Sequence, residues 1–136
     1  MHSFSLRIMA AEHTFYEGEC LSLQFKTQDG LYGIEAGHDD LIAAVMPGMV
    51  RFVLPDETER VAAVSEGILK VENGKALILV DTAERPEDIN EERARRALEE
   101  AREEMLLKKS AIEFRMAQAR LARAMGRLEV KNRTGK

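Results

Sequence analysis

The periodicity of the sequence changes at Pro86, and this constrains the fold more than any other feature. Before it, short alternating apolar stretches are separated by turn residues; after it comes a highly charged stretch of about fifty residues, rich in Ala and Leu. Alternation with period two belongs to half-buried strands, whereas a stripe repeating every three or four residues belongs to an amphipathic helix. The expectation is therefore a mainly β chain with a helical addition. Residues 1–85 should form an antiparallel β-sandwich or flattened barrel, and residues 86–136 a two-helix hairpin.

The strand pattern is clearest where large side chains alternate. Phe4, Leu6 and Ile8 fall on one face, as do Leu21, Leu23 and Phe25, then Val50, Phe52 and Leu54. Pro47-Gly48 precedes the third of these runs and Pro55-Asp56 closes it. Further strands are expected over Arg60 to Val64, Ile68 to Glu72 and Ala76 to Val80. Asn73-Gly74 joins the last two in the manner of a type I′ hairpin, which needs positive φ at both central residues. Seven to ten strands of this spacing suit a sandwich. The glycine-rich stretch from Asp29 to Asp40 lacks a following Lys-Ser/Thr, so it reads as tight turns at a sheet rim and not as a phosphate loop. His38, Asp39 and Asp40 share no ligand spacing with His2 or His13, which favours a surface-loop histidine over a metal ligand.

Charge is shared unevenly. From Glu84 onward there are 14 basic and 11 acidic side chains, against 6 and 13 before it. The end of the chain is the most basic part, with seven basic residues from Ser110 to Lys136 and only Glu113 and Glu129 opposing them. An acidic partner surface fits this asymmetry. Nucleic acid fits poorly, because the body is acidic and no aromatic side chain accompanies the basic stripe. The single cysteine, Cys20, cannot form an internal disulfide and reads as a small apolar strand residue. No apolar run is long enough to span a bilayer, and the start lacks a signal-peptide pattern. The expectation is a soluble, intracellular chain that meets membranes only through a partner.

In the arm, Asp88 or Asn90 can cap a first helix, whose narrow apolar stripe is Ala94, Leu98, Ala101 and Met105. Ser110 and Glu113 have capping-box spacing and can start a second helix, which places Phe114, Ala117, Leu121, Ala124 or Met125, and Leu128 on one face. A turn at Lys108 to Ser110 would make a hairpin; without a strong breaker there, the two segments could also straighten into one long helix. Two such arrangements are what a switch requires, and a fixed hairpin is the plainer reading. Arg120, Arg123, Arg127 and Lys131 form a basic stripe, either a solvated face or a contact for an acidic protein surface or polyanion.

Several segments, in this order, resemble the epsilon subunits of F-type ATP synthases over essentially the whole chain. They are Gly33-Ile34 with Gly37-His38, Pro47-Gly48, and Glu66-Gly67-Ile68-Leu69-Lys70-Val71. They continue with Asp81-Thr82-Ala83-Glu84-Arg85, Ile89-Asn90-Glu91-Glu92-Arg93-Ala94, and Leu121-Ala122-Arg123-Ala124-Met125-Gly126-Arg127-Leu128. Glu66 departs from the glycine common in the family and is expected to alter only a local turn.

The resemblance implies a non-catalytic rotor part, peripheral on the cytoplasmic face of a bacterial membrane. Its sandwich would bind the gamma subunit and rest on the c-ring, with Leu31 and His38 facing that ring. Its arm would lie folded or extend along gamma, where Arg120, Arg123 and Arg127 would meet acidic segments of beta subunits and restrain ATP hydrolysis. No cofactor is required, but the resemblance implies ATP as a possible regulatory ligand. Ile89, Arg93 and Ala94 match the pattern Ile/Leu-Asp-x-x-Arg-Ala of ATP-binding relatives, and Glu84, Arg123 and Arg127 accompany it; Asn90 replaces the aspartate. A free-standing adaptor that binds one protein through its sandwich and another through its helices is the alternative.

Overall fold

A computed structural model describes residues 2–107 and 110–134. It contains ten strands in two five-stranded sheets, followed by a short 3-10 turn and two helices. The first sheet has the order β2 (Thr14–Cys20), β1 (Phe4–Met9), β9 (Lys75–Val80), β8 (Gly67–Glu72), β5 (Leu41–Val45). The second has the order β10 (Ala83–Glu84), β7 (Glu59–Val64), β6 (Gly48–Val53), β3 (Ser22–Thr27), β4 (Gly30–Glu35). Their inner faces enclose one apolar core, in which Leu6, Ile8, Leu23, Phe25, Phe52, Leu69 and Ile78 are all buried. Cys20 joins this core, and burial pushes its thiol up to about 12, so it behaves as a small apolar side chain.

The alternating runs form strands as expected, and the Asn73-Gly74 turn has φ of 53° and 73° at its two residues. Two differences emerge. Gly30–Glu35 is a strand and not a chain of turns: Thr27 faces Gly30 across a two-residue loop, and Leu23 faces Ile34. Backbone pairing and the burial of Ile34 outweigh the glycines, which leave β4 as a mostly exposed edge strand. The second difference is that β1 runs parallel to β9, pairing Leu6 with Ala76 and Ile8 with Ile78, while the other ladders are antiparallel. The N-terminal strand thus sits beside the last long strand of the body.

Pro86–Asp88 forms the 3-10 turn that leads into α1 (Glu91–Leu107), and α2 (Ala111–Thr134) returns antiparallel to it. Asn90 caps α1, its Oδ1 accepting from the Arg93 amide at 3.0 Å; Ser110 caps α2 through the Glu113 amide, also at 3.0 Å. The expected turn at Lys108 to Ser110 falls partly on Lys108 and Lys109, which lie outside the described residues. The arrangement is the closed hairpin. Ala94 and Ala101 of α1 are buried, and their small side chains let the helices approach.

In α2, helical spacing places Ala117, Leu121, Ala124 and Leu128 on one face and Ala122, Gly126 and Val130 on the opposite one. The helix is consequently a middle layer, with α1 on one side and β6 and β7 on the other. Val130 and Ile89 pack on Val61, Ala63 and Met49, a small second core on the outer face of the second sheet. β7 is therefore buried on both faces, which explains its unbroken apolar run. A Cβ on Gly126 would lie 2.7 Å from the Gly48 Cα, so glycine is what lets α2 rest on the backbone of β6.

Candidate functional site

At the root of the arm, the end of β10, the 3-10 turn, the first turns of α1 and the later part of α2 enclose a cleft of about 220 Å³. Its lining residues are Glu84, Asp88, Asn90, Arg93, Ala94, Ala97 and Arg127. Local sequence chemistry builds it. Pro86 starts the tight turn, with the Ile89 amide donating back to the Pro86 carbonyl at 3.2 Å. Asn90 then starts the helix so that exposed Arg93 and buried Ala94 both line the cleft. From α2, Arg127 donates through Nε to Glu84 Oε1 at 2.5 Å, and Lys131 Nζ donates to the Pro86 carbonyl at 3.1 Å. The lining carries two arginines and two carboxylates, so its formal charge is zero. Arg127 is already neutralised by Glu84, whereas Arg93 makes no ion pair among the described residues.

Of the residues singled out for a nucleotide, the cleft brings together Glu84, Asn90, Arg93, Ala94 and Arg127. Ile89 does not line it; it is buried beneath, against Val61, Ala63 and Val130. Arg123 lies in an adjoining crevice that shares Glu84 and Arg127 with the cleft, and its Nη1 donates to Glu66 Oε1 at 3.4 Å. Glu66 thus does more than shape a turn. Asp88 and Ala97 were not named for this site; Asp88 was marked as a possible cap, and its acidic position in the first turn was the available signal.

The basic stripe is not a solvated face in this closed state. Arg120 pairs with Glu104 of α1, Arg123 with Glu66, Arg127 with Glu84, and Lys131 with a backbone carbonyl. Further along, Arg133 grips Glu59 with two hydrogen bonds, at 3.0 and 2.7 Å, and Arg51 pairs with the same carboxylate. The Arg133 bonds, then those of Arg51, hold the Glu59 carboxyl down at about 2. Lys26 reaches Glu129 at 3.0 Å.

Leu31 and His38 lie at the opposite, β4 edge, Leu31 exposed and His38 half-buried. His38 Nδ1 donates to the Asp39 carbonyl at 2.7 Å, which leaves Nε2 to accept from the Tyr32 hydroxyl at 3.0 Å. Asp40 accepts from the Asn73 amide, and no metal-binding group occurs among the described residues. The outer face of the first sheet, remote from the arm, presents Ile42, Ala44, Ile68 and Leu79 as an exposed apolar patch across β5, β8 and β9.

Comparison with known proteins places this architecture. Residues 3–86 match the model of the ATP synthase delta/epsilon chain β-sandwich domain, and residues 87–132 that of the delta/epsilon chain long α-helix domain. The chain belongs to the ATP synthase delta/epsilon family. It is similar to the ATP synthase epsilon chain of Ruminiclostridium cellulolyticum, with 37% identity over 98% of both chains. It is also similar to that of Clostridium novyi, with 36% identity over 94% of this chain and 97% of the other.

Among solved structures, its fold resembles a chain in the Euglena gracilis mitochondrial ATP synthase OSCP/F1/c-ring structure, with a TM-score of 0.80 at 19% identity. That likeness covers 98% of this chain and 82% of the other. A chain in the Tetrahymena thermophila mitochondrial ATP synthase central stalk and c-ring structure gives 0.66 at 11% identity, covering 93% and 95%. Membership of the delta/epsilon family makes the chain a non-catalytic epsilon-type subunit of ATP synthase. No helix among the described residues is long and apolar enough to cross a membrane.

Proposed function

We propose that the chain acts in the central stalk of a bacterial F-type ATP synthase, at the cytoplasmic face of the membrane. Residues 1–85 bind gamma and rest on the c-ring through the edge bearing Leu31 and His38, helping to couple ion-driven rotation to ATP synthesis. Residues 86–136 form an arm that can leave the sandwich, extend along gamma and restrain ATP hydrolysis through contacts with beta subunits. The observation that carries this reading is the way the arm is held. A small apolar seam centred on Val130 and Ile89 is flanked by partly exposed ion pairs, and such pairs contribute only about 0.2 to 1 kcal/mol each. The seam suits attachment that can be undone, while the bare apolar patch on the far sheet suits a permanent partner.

In the closed arm the stripe is occupied by Glu104, Glu66 and Glu84, and extension frees the same arginines for acidic partner segments. The cleft at the root of the closed arm binds ATP as a regulatory ligand, because Arg93 and Arg127 come from different helices and converge only when the hairpin is shut. The nucleotide therefore favours the folded arm. The test is Arg120, Arg123 and Arg127 changed together to Glu in the assembled complex. Hydrolysis of ATP is expected to rise while assembly is unchanged, with single changes nearly silent. An inhibited complex whose hydrolysis rate ignores the triple change would refute restraint by these arginines.

A further inference from the structure

Arg123 and Arg127 stand one turn apart on α2, yet only Arg127 lines the cleft. What draws Arg123 aside is Glu66, in the bend between β7 and β8, a region of chain remote from the helix-start pattern. The two arginine pairs are unequal. Arg127 and Glu84 meet at 2.5 Å with side chains 31% and 30% exposed, whereas Arg123 and Glu66 meet at 3.4 Å with the carboxylate 50% exposed. The second pair is the weaker and better solvated one.

A polyphosphate entering a cleft of zero net charge needs more cation than Arg93, which has no ion pair among the described residues, supplies. It can draw Arg127 from Glu84, or draw Arg123 from Glu66 across the wall the two crevices share. The second exchange costs less, since the long, half-solvated pair gives up least.

We propose that Glu66 is an internal competitor for the phosphates of a nucleotide: it holds Arg123 outside the cleft and sets the affinity by yielding that guanidinium when the ligand binds. The proposal rests on the reading of the cleft as an ATP site. In the empty chain Glu66 occupies the place on Arg123 that a phosphate oxygen takes in the complex. A charge-assisted bond between arginine and phosphate replaces one between arginine and carboxylate, so the net gain is small and the site is tuned for weak binding.

Calorimetry of ATP binding to the full chain at one fixed ionic strength tests this. Glu66→Gln keeps the size of the side chain and removes its charge, and it is expected to tighten ATP binding about three- to tenfold, which corresponds to about 0.65 to 1.4 kcal/mol. The gain should vanish when Arg123→Gln is added, because the two residues act through one contact. If the pair merely clamps the arm shut, Glu66→Gln would instead loosen the closed hairpin and weaken binding. Equal or weaker binding by Glu66→Gln overturns the proposal, as does a gain that survives Arg123→Gln. Arg93→Ala separates this from the cleft itself. If Arg93→Ala abolishes binding while Glu66→Gln has no effect, only the competitor role fails; if ATP heat ignores Arg93→Ala, or no variant gives heat at millimolar ATP, the ATP site and the competitor fall together.

Discussion

Gly126 shows how one residue can decide whether the arm docks. Inside a helix glycine is less favourable than alanine by about 0.8 to 1 kcal/mol, so helix propensity alone favours Gly126→Ala. The docked geometry opposes the change more strongly, because the added Cβ would meet the Gly48 Cα at 2.7 Å and its carbonyl carbon at 3.1 Å, backbone atoms that cannot swing aside. Overpacking of this kind costs about 1 to 3 kcal/mol. Gly126→Ala is therefore expected to speed amide hydrogen exchange in α2 about tenfold while leaving the sandwich strands unchanged. Slower exchange in α2 would show that propensity wins and that the close contact does not matter. The glycine was visible in a helix otherwise rich in alanine, but its partner was not: nothing in the local pattern links it to Gly48, a residue 78 positions earlier. For the same reason the basic stripe could be read while its partners could not, since Glu66, Glu84 and Glu104 come from three separate elements.

At the scale of elements, period-two alternation marked the strands whose one face is buried, such as β1 and β6, because each large residue there points into a single core. It did not mark β4, whose glycines and exposed edge leave only Ile34 buried, nor the parallel pairing of β1 with β9, which alternation does not encode. The unbroken Val61-Ala62-Ala63-Val64 run was read simply as a strand, although a run buried on both faces signals a second layer above it. That layer is α2, and Glu59 at the start of β7 fastens its far end. The carboxyl of Glu59 titrates at about 2 when folded, below its ordinary 4.5, chiefly because Arg133 and then Arg51 bond to its charged form. Its contribution to docking is thus complete above about pH 4.5 and is lost as pH falls toward 2. Limited proteolysis at the end of α2 should increase across that window, and Glu59→Gln should raise cleavage at neutral pH and flatten the dependence. If Glu59→Gln leaves both the neutral-pH cleavage and its acid response unchanged, this clamp contributes nothing to docking.

For the whole molecule, the main question is whether the sandwich is complete without the arm. The main core lies entirely between the two sheets and draws no side chain from either helix; the arm touches the outer face of the second sheet through the separate cluster of Val61, Ala63, Ile89 and Val130. Pairing of β1 with β9 also closes the first sheet with strands that end at Val80, ahead of Pro86. Removal of residues 87–136 would expose Val61, Ala63 and Met49 but would open no cavity in the main core. The truncated chain is expected to unfold cooperatively with its sheet signal intact, and to be less soluble because of the uncovered β7 face. On the proposed function it should still join gamma in the complex, with the proposed restraint on hydrolysis gone. Circular dichroism and assembly with gamma check this together. A truncated chain that is unfolded would mean the arm completes the body, and one that folds but fails to assemble would move the gamma contact from the sandwich to the helices.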